Sequence, residues 1–195
     1  MSVTNGNGNY TQANDNDNYF CAGRVTYKIL DNMAAGPEKL SLTAGGSYGY
    51  NQISIDRADT IFSTQSVLGV KSRGLQTLTG SEIRLTYGQA ALQAEYIKTD
   101  FNPAGTILRN IHMDGHYIQG SYFVIPAKLR AAVKYDTYDP DNKVINYKDC
   151  NIYTAGLAWF IKGHDLKLEG NYLVRDERVD EFNNNAFLLQ LQVLF

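Results

Sequence analysis

From Ala186 to Phe195 the chain alternates without a break. Phe187, Leu189, Leu191, Val193 and Phe195 are apolar, whereas Gln190 and Gln192 fall on the other parity with Ala186, Leu188 and Leu194. Successive side chains of a strand point to opposite faces, so this stretch reads as a strand with one wholly apolar face and one mixed face. Two environments suit such a strand. A soluble β-sandwich turns the apolar face inward, and a membrane barrel turns it toward lipid. The last strand does not separate them; the rest of the chain does.

The same two-residue period recurs upstream. Cys21, Gly23, Val25, Tyr27 and Ile29 oppose Arg24, Thr26 and Lys28; Leu40, Leu42, Ala44, Gly46, Tyr48 and Tyr50 oppose Lys39, Ser41, Thr43 and Ser47. Ile83, Leu85 and Tyr87 oppose Glu82, Arg84 and Thr86, and Leu92, Ala94 and Tyr96 oppose Gln93 and Glu95. His116, Ile118, Gly120, Tyr122 and Val124 oppose Tyr117, Gln119 and Ser121, and Ala127, Leu129, Ala131, Val133 and Tyr135 oppose Lys128, Arg130, Lys134 and Asp136. Tyr153 to Ile161 and Leu166 to Val174 complete the set, which with the last strand makes about nine. Residues 1–18, rich in Asn, Gly and Asp, read as a polar loop or disordered lead-in, leaving 19–195 as the β-domain.

The connections alternate in length. Those near 31–37, 88–89, 125–126 and 162–164 are short, and those near 52–79, 102–114, 139–150 and 176–185 are long. Membrane barrels show this asymmetry, with short turns on the periplasmic side and long loops outside. Greek-key sandwiches mix hairpins and crossings at both ends. Strands of about ten residues also suit a tilted crossing of the hydrocarbon, and Tyr and Trp near the strand ends suit interfacial girdles. The fold class expected is therefore all-β, a transmembrane antiparallel barrel. An odd strand count puts the first residues on the long-loop side, so the chain is expected to be the C-terminal part of a larger barrel.

Composition removes other classes. No apolar run approaches the roughly 18 residues of a membrane helix. The mean hydropathy of −0.33 hides a barrel, in which only alternate residues meet lipid. A net charge of −2 argues against a nucleic-acid surface. The N-terminus carries neither a basic nor an apolar signal region. Either a leader was removed or the front of a longer protein is missing. Cys21 and Cys150 fit no metal spacing, and their strands and parities differ, so two free thiols are expected.

Four segments carry a family likeness: LTYGQAALQAEYIKTD (85–100), GHYIQGSYFVIP (115–126), YTAGLAWFIKGHDLKLEGNYLV (153–174) and NAFLLQLQVLF (185–195). In order and spacing they resemble the phosphate-selective porin O and P family. The resemblance implies a 16-stranded outer-membrane porin, assembled as a homotrimer and conducting anions, some members selecting phosphate or polyphosphate. The family's basic selectivity positions are not matched residue by residue, so the likeness implies a porin and not a given solute.

The residues themselves allow two readings of the lumen charges: a basic lining that favours anions, or charges that merely pair across strands, as Glu82, Glu95 and Glu169 permit. Lys128, Arg130 and Lys134 share one parity of one strand, and rings of Lys or Arg make anion pores. With Arg24, Lys28, Lys39, Arg84, Lys167 and Arg175 the proposed lumen carries nine cations, against five anions at Glu82, Glu95, Asp136, Asp165 and Glu169, a difference of +4. The expected pore lining is Lys128, Arg130, Lys134, Arg84, Lys167, Arg24 and Lys28. His112, Asp114 and His116 read as polar residues at a loop-to-strand junction, with no metal or other cofactor expected. His116 with Ser81 or Ser121 has no flanking motif for an acyl hydrolase, so no enzyme is expected. The expected partners are outer-membrane lipid and small anionic solutes, with no nucleic acid. The alternative is a non-conducting structural or adhesive barrel of the outer membrane.

Overall fold

A computed structural model describes residues 1–5, 19–55, 72–104, 109–143, 149–179 and 184–194. They form ten strands: β1 (Ser2–Asn5), β2 (Tyr19–Ala35), β3 (Glu38–Ile55), β4 (Ser72–Tyr87), β5 (Ala90–Pro103), β6 (Ile111–Ile125), β7 (Leu129–Asp139), β8 (Cys150–Lys162), β9 (Leu166–Glu177) and β10 (Ala186–Val193). Each pairs antiparallel with its sequence neighbours in one meandering sheet, in the order β1 to β10. Among the described residues nothing pairs β10 with β1, so this sheet is open.

The count differs from the nine strands expected. Ser2–Asn5, inside the segment read as a polar lead-in, pairs with Tyr19–Ala22. Four residues with one apolar side chain hold no readable period; pairing rather than sequence makes this strand. The extra strand also removes the parity argument that put the first residues on the long-loop side. Residues 6–18 lie outside the described part. Strand ends also run further than the alternation suggested. β3 continues to Ile55 and β4 starts at Ser72, which shortens the supposed 52–79 connection from both sides; residues 56–71 lie outside the described part. β2 reaches Ala35 through register shifts between Lys28 and Met33, where Asn32 takes a positive φ of 52° and its N–H donates to Ser41 Oγ at 2.9 Å. A bulge of this kind breaks the two-residue period, which is why 31–37 resembles a turn.

The short turns are made by positive φ. Gly36, Gly88 and Gly163 supply it at 65°, 53° and 56°. The β6–β7 turn does so with Ala127 at φ 56°, after Pro126, and closes with Lys128 N–H donating to Ile125 O at 3.0 Å. Proline followed by a positive φ is the signature of a type II turn.

The sidedness is inverted relative to a soluble sheet. On β8 the apolar parity is the open one: Leu157 is 56% exposed and Trp159 53%, whereas Ala158 and Phe160 between them are 4% and 5% exposed. Phe187, Leu189 and Leu191 of β10 stand open in the same way. Two aromatic rows bound this apolar face. Toward the long loops, Tyr96, His116, Tyr135 and Tyr153 run side by side across β5 to β8, with successive ring centroids 6.4, 6.3 and 5.0 Å apart. Toward the short turns stand Tyr87, Tyr122 and Trp159, all exposed. Six residues separate His116 from Tyr122 and Tyr153 from Trp159. At about 3.3 Å per residue that is roughly 20 Å along the strand, the scale of the apolar band of a membrane barrel.

Beyond the outer row the pattern flips. Lys98, Asp100, His112 and Asp114 occupy the parity that is apolar lower down, and Phe101, Ile111 and Met113 form a buried cluster on the other. There the sheet packs as a water-soluble protein does, apolar side in.

Candidate functional site

Between the two aromatic rows, no charged side chain among the described residues stands on the apolar face. The charges gather on the polar face, where they find partners; an unpaired charge taken into hydrocarbon would cost several kcal/mol, about 2–4 kcal/mol for Arg or Lys at mid-membrane.

On β2 to β4 the polar face is joined by Arg24 and Glu82. Register places Arg24 opposite Ser47 and Glu82 opposite Gly45, so the two meet across the intervening strand β3. Arg24 Nε donates to Glu82 Oε1 at 2.8 Å, and a second guanidinium nitrogen pairs with the other carboxylate oxygen. Gly45 makes this possible, since a Cβ there would fall on the carboxylate and on the Thr26 methyl. Glu82 also faces Glu95 directly across β4 and β5. Like charges opposite one another destabilise a sheet, and Arg24 offsets this one.

From β5 to β7 a second network follows. Gln93 donates to the Tyr117 hydroxyl at 2.6 Å. Lys134 Nζ lies 4.5 Å from the Tyr117 ring centre and pairs with Asp136 at 2.5 Å. Nearer the short turns, Phe123 and Phe160 pack at 5.5 Å between centroids, and Arg130 stacks over Phe160 at 5.4 Å. Lys167 lies 5.9 Å from the same ring and pairs with Glu169 at 2.8 Å, and Asn171 donates to Glu169 at 3.2 Å.

The residues expected to line a pore therefore fall into three groups. Arg24, Lys134 and Lys167 stand on the polar face but are neutralised by carboxylates, and Lys28 pairs with Asp31 at 3.3 Å near the bulge. Arg84 and Arg130 stand on the same face with no carboxylate partner among the described residues. Lys128 lies at the end of the type II turn, one residue before β7 begins at Leu129, and its carbonyl accepts from Phe160 N–H of β8 at 2.8 Å. The physical reason is Pro126, whose fixed φ sets the turn and leaves Lys128 to complete it.

Other expected features find their places. Cys21 and Cys150 are free thiols on β2 and β8. His112 is engaged by Asp100 at 2.5 Å and His116 by Thr137 at 2.9 Å. Among the described residues no three His, Cys, Asp or Glu side chains gather as a metal set.

Sequence reasoning missed three features of this region. The Phe123–Phe160 pair lies on the polar parity, where an aromatic breaks the pattern instead of following it. The notch at Gly45 depends on register. The third is a latch beyond the outer aromatic row: Arg109, before β6, makes a two-point contact with the buried carboxylate of Asp141, after β7, and Asn142 N–H donates to His112 O at 2.9 Å. Two long loops are thereby tied together.

The comparisons with known proteins agree with this geometry. A profile described as "Phosphate-selective porin O and P" matches residues 26–195. A protein of Aquifex aeolicus (strain VF5) described as "Uncharacterized protein" is 32% identical over 130 residues, covering 61% of this chain and 30% of that relative. This chain thus spans less than a third of that protein's length. No solved structure matches. With a match that runs from within β2 to the last residue, the chain belongs to the phosphate-selective porin O and P family.

Proposed function

We propose that this chain forms part of the wall of a water-filled channel in the bacterial outer membrane, through which small solutes diffuse passively with anions favoured. One observation carries the reading: on β8 and β9 the apolar face is the open one and the polar, charge-bearing face is the sheltered one. Lipid on one side and water on the other satisfies both faces. The family's description makes phosphate a solute to test, and the sequence likeness implies a homotrimer.

Anion preference rests on fewer groups than the sequence suggested. Charges already paired with carboxylates contribute little net field. Among the described residues Arg84 and Arg130 are in no ion pair, although Arg130 stands across Ala158 from Glu169, which Lys167 pairs; their influence reaches about 10 Å at 0.1 M salt. The full-length protein in planar bilayers, under a KCl gradient, should give a reversal potential that favours chloride. Arg84→Gln with Arg130→Gln should move the permeability ratio toward unity without abolishing conductance. Removing Lys134 and Asp136 together should leave it nearly unchanged. A parent that favours potassium refutes the anion reading, and a folded, membrane-inserted protein that conducts nothing refutes the channel.

A further inference from the structure

Two kinds of partner hold positive side chains on the polar face. Arg24, Lys28, Lys134 and Lys167 each pair with a carboxylate. Arg130 is in no ion pair among the described residues; its guanidinium lies over the Phe160 ring, 5.4 Å from the centroid. Phe160 sits on the polar parity of β8 and yet is only 5% exposed. Four elements close around its ring: Phe123 of β6 at 5.5 Å, Arg130 of β7, Lys167 of β9 at 5.9 Å, and His164 of the β8–β9 turn, edge-on at 5.2 Å. Its backbone is fixed as well, since Phe160 N–H donates to Lys128 O at 2.8 Å. Register puts Arg130 opposite Phe123 on one side and Ala158 on the other, with Glu169 beyond Ala158. Glu169 is taken up by Lys167 and Asn171.

On the channel reading above, we infer that Phe160 is a positioning residue for anion selectivity: its ring fixes Arg130 at the channel wall and leaves the guanidinium charge uncancelled. A carboxylate fixes a cation and cancels its charge in the same contact. An aromatic face attracts a cation through its quadrupole, which carries no net charge. The ring therefore orders Arg130 while the positive charge stays available to a passing anion. Without the ring, Arg130 is free to turn across Ala158 to Glu169, much as Arg24 reaches Glu82 across β3. Its charge would then be spent on a carboxylate. With the ring in place, Arg130 and Lys167 against Glu169 leave 2 − 1 = +1 on this part of the wall. At 0.1 M salt that charge is felt over about 10 Å. Phe123 braces the ring from the other side, so ring and guanidinium do not swing away together.

The test uses the full-length protein in planar bilayers, with reversal potentials read under a KCl gradient. Phe160→Leu should lower the chloride-to-potassium permeability ratio by at least about half as much as Arg130→Gln does, in a channel that still conducts. Phe160→Tyr keeps the ring and should keep the parent's ratio. In an Arg130→Gln background, Phe160→Leu should lower the ratio no further, because the ring then has no charge to hold. Mono-, di- and trifluorinated phenylalanine at position 160 drain the ring face of negative potential with little change of shape. The ratio should fall step by step with fluorine count, and this series holds whether or not Phe160→Leu assembles. A ratio that stays flat across the series overturns the inference and leaves the channel standing. So does a loss in Phe160→Leu that is as large without Arg130 as with it, which marks a structural role only. A parent without preference for chloride, or one that conducts nothing, removes the selectivity reading and this inference together.

Discussion

Ala127 occupies a position that a type II turn ordinarily gives to glycine. Its φ of 56° places a Cβ in the left-handed region, at a cost of about 1–2 kcal/mol for an L-residue. Ala127→Gly removes that strain and returns part of the gain as unfolded-chain entropy, so the net should be a stabilisation of about 0.5–1 kcal/mol, read from the urea midpoint of refolding into lipid. Gly45 is the opposite case. A side chain there collides with Glu82 and Thr26, so Gly45→Val should destabilise by roughly 1–3 kcal/mol, and adding Glu82→Ala should recover part of the loss. Equal stability of the single and double variants would show that the Arg24–Glu82 pair does not depend on the notch. At this scale the sequence was half legible. Parity put Arg24 and Glu82 on one face, and Pro126 marked a turn. That Lys128 belongs to the turn, and that two charges meet over a glycine, follow only from register, which a single sequence does not display.

An element of this sheet is read by depth as well as by face. Leu157 lies opposite Ala131 and Gly170 between the aromatic rows, while Leu168 lies opposite Trp159 at the inner row. Leu157→Arg should therefore cost roughly 2–4 kcal/mol in membrane assembly and Leu168→Arg only about 0–1 kcal/mol, since the penalty falls toward the interface. Gln119→Leu, on the polar face, should be milder than Leu157→Arg. Heat-modifiability on gels and lipid-refolding titrations would rank the three, and equal costs would mean that the faces are wrongly assigned. The strands were legible because two-residue alternation is strong in all but β1. Their ends were not, because alternation inverts beyond the outer row. Phe101, Ile111 and Met113 look like a lost period when the lipid side is sought, yet they continue the same strands into water.

For the molecule as a whole, the class was legible from two regularities: apolar alternation and the succession of short and long connections. Neither reports net charge at a given height, because partners such as Asp136 for Lys134 and Glu169 for Lys167 are local to a register. The connectivity has a consequence of its own. Among the described residues each strand pairs with its neighbours in sequence, so the sheet is modular. β5 and β8 run antiparallel, so excising the β6–β7 hairpin would leave them able to pair directly, and duplicating it would widen the sheet by two strands. The width of this sheet is then a heritable quantity that can change by whole hairpins, without rewiring any contact beyond the splice.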